Sequence, residues 1–273
     1  MDHRNVEWWH VIISSSLRYF LFAGMAYLIF YKWKGVQWMR FKIQKYFPKA
    51  FAVRNELLYS ASTIFIFALV IYTVLFSPLR AFTQLYTDIY AYPVAYFWIS
   101  IAIMVVLHDA YFYWIHRFMH GKKIFRFVHH IHHRSHNPTP LAAFSFHPIE
   151  AILEIGILPL IVYTMPVHKL ALGIFGLGTI LINVMGHLGF ELFPKAFVTN
   201  TFLRFFTTST HHNMHHHRHR GNYGLYFTVW DRLLGTNQAR YEAEFTRITD
   251  ERSSQKMNTP MNKSGRSLKY SGS

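Results

Sequence analysis

The chemistry this chain can perform is written in its histidines. There are 19 of them against 13 Asp plus Glu and no cysteine, and all but His3, His10 and His168 lie in segments 108–147 and 187–219. Without cysteine there can be no thiolate zinc finger, iron–sulfur cluster or thiol nucleophile. Imidazole remains as the donor for a metal site. His116 and His120 stand four apart and so share one helical face. In His129-His130-Ile131-His132-His133, positions 129, 132 and 133 follow i, i+3, i+4 and are expected to converge on one side, with His130 pointing away. The pattern recurs at His212-Asn213-Met214-His215-His216, where His211 is the off-face neighbour. His187 stands four residues after Asn183.

Nine imidazoles, those of His116, His120, His129, His132, His133, His187, His212, His215 and His216, exceed what one ion can hold, so two ions are expected. Imidazole suits iron, zinc, copper and nickel. Zinc would fit the donors, and would be a natural occupant of isolated protein, but it has no redox chemistry. Iron binds O2, and its oxidised form removes hydrogen from an unactivated C–H bond. Asp109 lies two turns before His116, where it is expected to accept a hydrogen bond from a ligand imidazole and fix its tautomer. His108, His136, His147 and Asn183 are candidates for the layer outside the ligands. His3, His10 and His168 read as interfacial residues. His217 and His219 belong to a basic stretch with Arg218 and Arg220, near phospholipid.

The elements that position these residues are membrane spans. Charged residues are 15% of the chain, against about 25% in ordinary soluble domains, while 52% are hydrophobic and 18% aromatic. A formal charge of +15 would suit either nucleic acid or an anionic membrane face. Apolar runs decide for the membrane: His10 to Phe30, Leu57 to Phe76 and Val94 to Ile115 each approach the roughly 20 residues a spanning helix needs. Ile149 to Leu188 is nearly twice as long and is interrupted at Met165-Pro166, which predicts a helical hairpin. The first run exceeds a signal-peptide core of about 7–15 residues, and Trp8, Trp9, Tyr31 and Trp33 bracket it as interfacial anchors. Arg18 within it is expected to snorkel or to pair inside the bundle.

Basic residues set the orientation. Lys32, Lys34, Arg40, Lys42, Lys45, Lys49 and Arg54 fill the first loop, whereas the second carries Arg80 offset by Asp88. The positive-inside rule then puts the first loop, the exit of the third span and every histidine cluster in the cytoplasm. The expected fold is all-α: a bundle of about four spanning units, the last a hairpin, under a cytoplasmic helical cap that holds the di-metal site. Residues 1–93 form an N-terminal transmembrane region with its basic loop at 32–56, and residues 94–240 a catalytic domain. Residues 241–273 read as a basic tail, disordered from about Glu251 onward.

Residues 100–237 resemble the fatty acid hydroxylase and sterol desaturase superfamily of membrane di-iron oxygenases. The resemblance runs through His108-Asp109, Tyr113-Trp114, His116-Arg117, His120, the His129 triplet, Asn137-Pro138-Thr139-Pro140, His147-Pro148 and Glu150. It continues through Asn183, His187, the His212 triplet, Asn222-Tyr223-Gly224 and Trp230-Asp231-Arg232-Leu233-Leu234-Gly235-Thr236. It implies that the nine imidazoles above are iron ligands and that O2 is co-substrate. Fatty acid 2-hydroxylases of the family have a histidine where this chain has Asn183, and their first motif is one residue longer. Both departures resemble the sterol desaturase branch. The resemblance implies hydroxylation or desaturation of a sterol or fatty-acyl lipid drawn from the bilayer. With no fused cytochrome b5 domain expected, electrons come from a separate cytochrome b5-like or ferredoxin-type carrier and its reductase. The active site would face the cytoplasm at the endoplasmic reticulum or a bacterial inner membrane. The rival reading is a zinc transporter or metal-binding membrane protein, for which Glu150 and Glu154, four apart, are the only acids that could serve a transport path.

Overall fold

The computed structural model describes residues 6–257. Four helices are long and apolar enough to cross a membrane: α1 (Trp8–Trp33), α2 (Ala50–Leu75), α3 (Val94–Met119) and α8 (Lys169–Gly186). Between α3 and α8 lie α4 (Lys122–Phe127), the one-turn α5 (His130–His133), α6 (Pro148–Ile155) and α7 (Ile157–Thr164). After α8 come α9 (Ser209–Arg218), α10 (Val229–Leu233) and α11 (Tyr241–Met257). Strand content among the described residues is one parallel pair, β1 (Leu85–Tyr86) and β2 (Val167–His168).

The hairpin turns at Met165-Pro166, where the interrupted apolar run put it, but its incoming arm is α6 and α7 rather than one helix. Pro159 supplies the reason. Proline has no N–H to donate four residues back, and its ring crowds the carbonyl there, so the ladder breaks at Ile155-Gly156. Gly156 suits the corner because a Cβ there would run into the Tyr111 hydroxyl, which is held by Leu153 O at 2.6 Å. His168, read as interfacial, is instead buried. Its Nδ1 caps α8 by accepting from Leu170 N, and its Nε2–H donates to Thr87 O.

Lipid supplies little hydrophobic drive between spans, so helix contacts there rest on close packing and hydrogen bonds. Tyr19 of α1 and Ser60 of α2 both donate to Leu141 O, each at 2.9 Å. This ties two spans to the 135–146 segment, beside a cluster of Ala23, Ile64, Phe144 and Val184. A second cluster, Phe97, Met104, Ile157, Ile161 and Phe175, packs α3 against the hairpin.

Residues 241–257, read as part of the tail, form α11; residues 258–273 lie outside the described residues. Tyr241, Phe245 and Ile248 recur at i, i+4, i+7, the period of an amphipathic helix, and all three are buried. Tyr241 Oη meets Thr208 Oγ1 at 3.1 Å, and Arg252 donates to the carbonyls of Glu191 and Phe193.

Candidate metal centre

The final turns of α3 carry His116 and His120 out of the bundle, and the connection through α4 and α5 brings His129, His132 and His133 back beside them. His187 caps the C-terminus of α8, and α9 supplies His212, His215 and His216. These nine imidazoles gather into two adjacent groups. His116, His120, His129, His133 and His215 form one; His132, His187, His212 and His216 form the other.

Within the first group the Nε2 atoms of His116 and His129 lie 3.0 Å apart, those of His133 and His129 3.1 Å, and those of His215 and His133 3.0 Å. Within the second, His212 and His187 stand at 3.0 Å and His216 and His212 at 3.1 Å. The triplets do not each converge on one point, as their spacing had suggested. In each, the i and i+4 residues (His129 with His133, His212 with His216) stay together, while the i+3 residue (His132, His215) crosses to the other group. At about 100° per residue, i and i+4 are some 40° apart but i+3 and i+4 some 100°. A single turn can therefore feed two neighbouring sites.

The far nitrogens show which tautomer is present. Nδ1–H of His116 donates to Tyr223 O at 2.9 Å, of His132 to Ser145 O at 3.2 Å, of His187 to Asn183 O at 2.8 Å, of His215 to Gly221 O at 2.7 Å and of His216 to Ser135 O at 3.0 Å. Nδ1–H of His129 donates to Glu150 Oε1 at 2.6 Å. With the proton on Nδ1, each Nε2 presents a lone pair to its neighbours. Lone pairs held 3 Å apart repel unless a cation lies between them, and about 2.1 Å is an ordinary nitrogen–metal bond. The residues therefore fit a metal ion in each group. Burial pushes His120, His129, His132, His133, His212, His215 and His216 below the usual imidazole range, and neighbouring imidazoles push them further. They stand in the neutral form that binds metal.

Asp109 does not touch an imidazole. Its Oδ1 accepts from the backbone N–H of Tyr226 and Phe227, because side chains on α3 two turns before His116 face the 223–227 loop rather than the ligands. The carboxylate that does orient an imidazole of the groups is Glu150, which the sequence had offered only for a transport path. Asp231 works at one remove: it accepts from Tyr223 N and Gly224 N at 2.9 and 2.8 Å, fixing the loop whose carbonyls orient His116 and His215. Gly221 in that loop has φ +70°, and a Cβ would strike Thr236 O.

The outer candidates divide. Asn183 acts through its carbonyl on His187, while its side chain donates to Ala143 O. His108 meets Tyr226 Oη at 2.9 Å, away from the ligands. His147 caps α6 by accepting from Ile149 N. His136 pairs with His219 at 3.2 Å, and His219 lies against the His133 ring with centroids 4.8 Å apart, not out among phospholipid. His130 and His217 are exposed, and His211 is buried 3.6 Å from Asp231, outside both groups.

An apolar cavity of about 390 Å³ opens beneath the two groups. Phe112, whose ring lies 5.1 Å from that of His116, Phe146, 5.1 Å from His132, and Asn183 close its inner end. It follows α8 from Asn183 to Lys169, about 21 Å at 1.5 Å per residue. Gly173 and Gly176 flatten that wall, with nothing within 4 Å of a Cβ at either.

A family model described as fatty acid hydroxylase matches residues 101–236. Lathosterol oxidase of Mus musculus is 30% identical over 233 residues, covering 82% of this chain and 72% of its own length. Methylsterol monooxygenase 1 of Rattus norvegicus is 28% identical, with coverage of 84% and 76%. A Delta(7)-sterol 5(6)-desaturase of Gibberella zeae is 34% identical over 165 residues, 59% of this chain and 48% of its own length. No solved structure matches.

Proposed function

Since the chain belongs to the fatty acid hydroxylase family and is a lipid-modifying membrane oxygenase, we propose that it binds two iron ions and uses O2 to hydroxylate or desaturate a sterol lying in the cavity. The observation that carries this reading is the pairing of nine neutral imidazoles, split five and four, with the inner end of an apolar cavity. His116, His120, His129, His133 and His215 would hold one ion, and His132, His187, His212 and His216 the other. When bound, iron supplies reduction of O2 and removal of hydrogen from an unactivated C–H bond.

The protein's own part is positioning. Backbone carbonyls and Glu150 fix six of the nine rings with Nε2 inward, and the Glu150 carboxylate strengthens His129 as a donor. Phe112 and Phe146 keep water from the inner end of the cavity. The glycine wall of α8 accepts a broad, rigid ring system, and the relatives named above are sterol enzymes by name. Hydroxylation would place one atom of O2 in the C–H bond and release the other as water. Desaturation would remove two hydrogens and release both oxygen atoms as water. Each takes two protons from water and two electrons, one at a time, from a separate carrier of the cytochrome b5 or ferredoxin type, which meets the site on the cytoplasmic face set by the basic first loop. The transporter alternative gains no support, because the imidazoles lie at helix ends above an apolar cavity rather than along a polar path.

The test is mass spectrometry of sterols from cells with and without the gene, grown with iron and oxygen. One sterol is expected to gain an oxygen atom or lose two hydrogen atoms. An unchanged lipid profile with iron-loaded protein and a working donor would overturn the reading.

A further inference from the structure

Glu154 has no role in the arrangement just described. It sits on α6 one turn beyond Glu150, about 6 Å of rise, and lines the apolar cavity. Among the described residues no side chain or backbone group hydrogen-bonds its carboxyl, and no cation pairs with it. The other polar groups on the inner walls are engaged: Thr179 and His108 through Tyr226, and Asn183 with Ala143 O. Arg18 donates to Ser14 O and Ser15 Oγ. A carboxyl set without a partner in a membrane-embedded apolar cavity is costly, and such a residue calls for a ligand.

We propose that Glu154 accepts a hydrogen bond from the hydroxyl group of a lipid alcohol in the cavity. Resting on the lipid-oxygenase reading, this sets the direction of the substrate. The same short helix presents Glu150 to the ligand His129 and Glu154 to the cavity, so the hydroxyl end lies toward the metal centre. Oxidation then falls on a carbon close to the hydroxyl, with the remainder of the lipid running along α8 toward Lys169.

The test uses full-length, iron-loaded protein in detergent and reads apparent affinity from thermal stabilisation. The probes are two matched pairs, cholestanol with cholestane and hexadecanol with hexadecane. The wild type is expected to bind cholestanol about tenfold tighter than cholestane, the worth of about one hydrogen bond. Glu154→Leu should bring that ratio to about one while cholestane binding and iron content are retained, which also shows that the variant is folded. Glu154→Gln, still an acceptor, should keep most of the preference. Arg18→Met should leave the ratio unchanged. A preference seen with hexadecanol alone would support the hydroxyl site and assign it to an acyclic alcohol. A ratio that survives Glu154→Leu, or collapses in Arg18→Met, would overturn the proposal while leaving the oxygenase reading intact. Binding of none of the four probes would overturn the cavity as a lipid site altogether.

Discussion

One residue separates His130 from a place in the metal centre. His132 and His215 each stand at the i+3 position of their triplets and cross between groups, whereas His130 and His217 face solvent. On the two-iron proposal, removing His132 or His215 would take a donor from one ion and leave the pair incomplete. His132→Ala or His215→Ala should therefore cut turnover by at least about 100-fold, since even residues one layer outside the ligands cost about 10–100-fold, and bound metal should fall. His130→Ala and His217→Ala should keep full metal content and most activity. Product formation and metal content at matched expression decide it, and loss of activity in His130→Ala equal to that in His132→Ala would refute the facing of α5. A second residue carries a pH signature. Lys42 is fully buried and donates to Asn137 Oδ1 and Gly189 O. Burial lowers its pKa from 10.5 to about 7. The unfolded chain keeps that proton up to about 10.5 while the folded chain releases it near 7, so the unfolded state binds more protons in between. Stability from this site should rise as pH goes from about 7 to 10.5, with the full penalty present below 7. Melting temperatures across that range should climb less steeply in Lys42→Met, and an unchanged slope would contradict the assignment.

At the scale of elements, α8 both builds the cavity wall and ends in His187, one of the four imidazoles of the second group. Gly173 and Gly176 are open ground, since a Cβ at either meets nothing within 4 Å. In a helix interior glycine is about 1 kcal/mol worse than alanine. Gly176→Leu should therefore melt no lower than the wild type and keep its metal. The added side chain would occupy the cavity, so lipid turnover should drop at least about tenfold. A Gly176→Leu protein that turns over normally would mean that the substrate does not lie along α8. The broken incoming arm serves the same arrangement, because α6 ends soon after presenting Glu150 to His129 and Glu154 to the cavity.

For the whole molecule the decisive quantity is sidedness. Both triplets, the α3 exit and the end of α8 meet in one cap, so the ends that carry them must emerge on the same membrane face. The basic loop 32–49 packs there too: Lys42 reaches Gly189 O, and Gln44 donates to His136 O and Asn213 Oδ1. Epitope tags in the loop between Lys32 and Lys49 and after residue 257 should both report cytoplasm, and a tag between Ser77 and Pro93 the opposite side. Opposite sidedness for the first two tags would undo the proposed topology.

Composition and periodicity alone determined the membrane bundle, because a span needs only length and apolarity, and those are local properties of the chain. They also singled out the histidines that the structure gathers into two groups, because helical spacing sets which rings share a face before any tertiary contact forms. The partition of those rings was decided by tertiary structure. Whether His132 joins His129 or His187 depends on where α8 and α9 approach α5, and no local pattern encodes that approach. The same holds for Asp109 and Glu150: both are acids within reach of a histidine in sequence, yet only the crossing of α3 and α6 with the connecting loops gave one to the backbone and the other to His129. The helix over 241–257 was legible at Tyr241, Phe245 and Ile248, but its polar remainder hid it. Its apolar face has meaning only against Phe193, Phe197, Val198 and Met214, a surface that exists once the chain has folded.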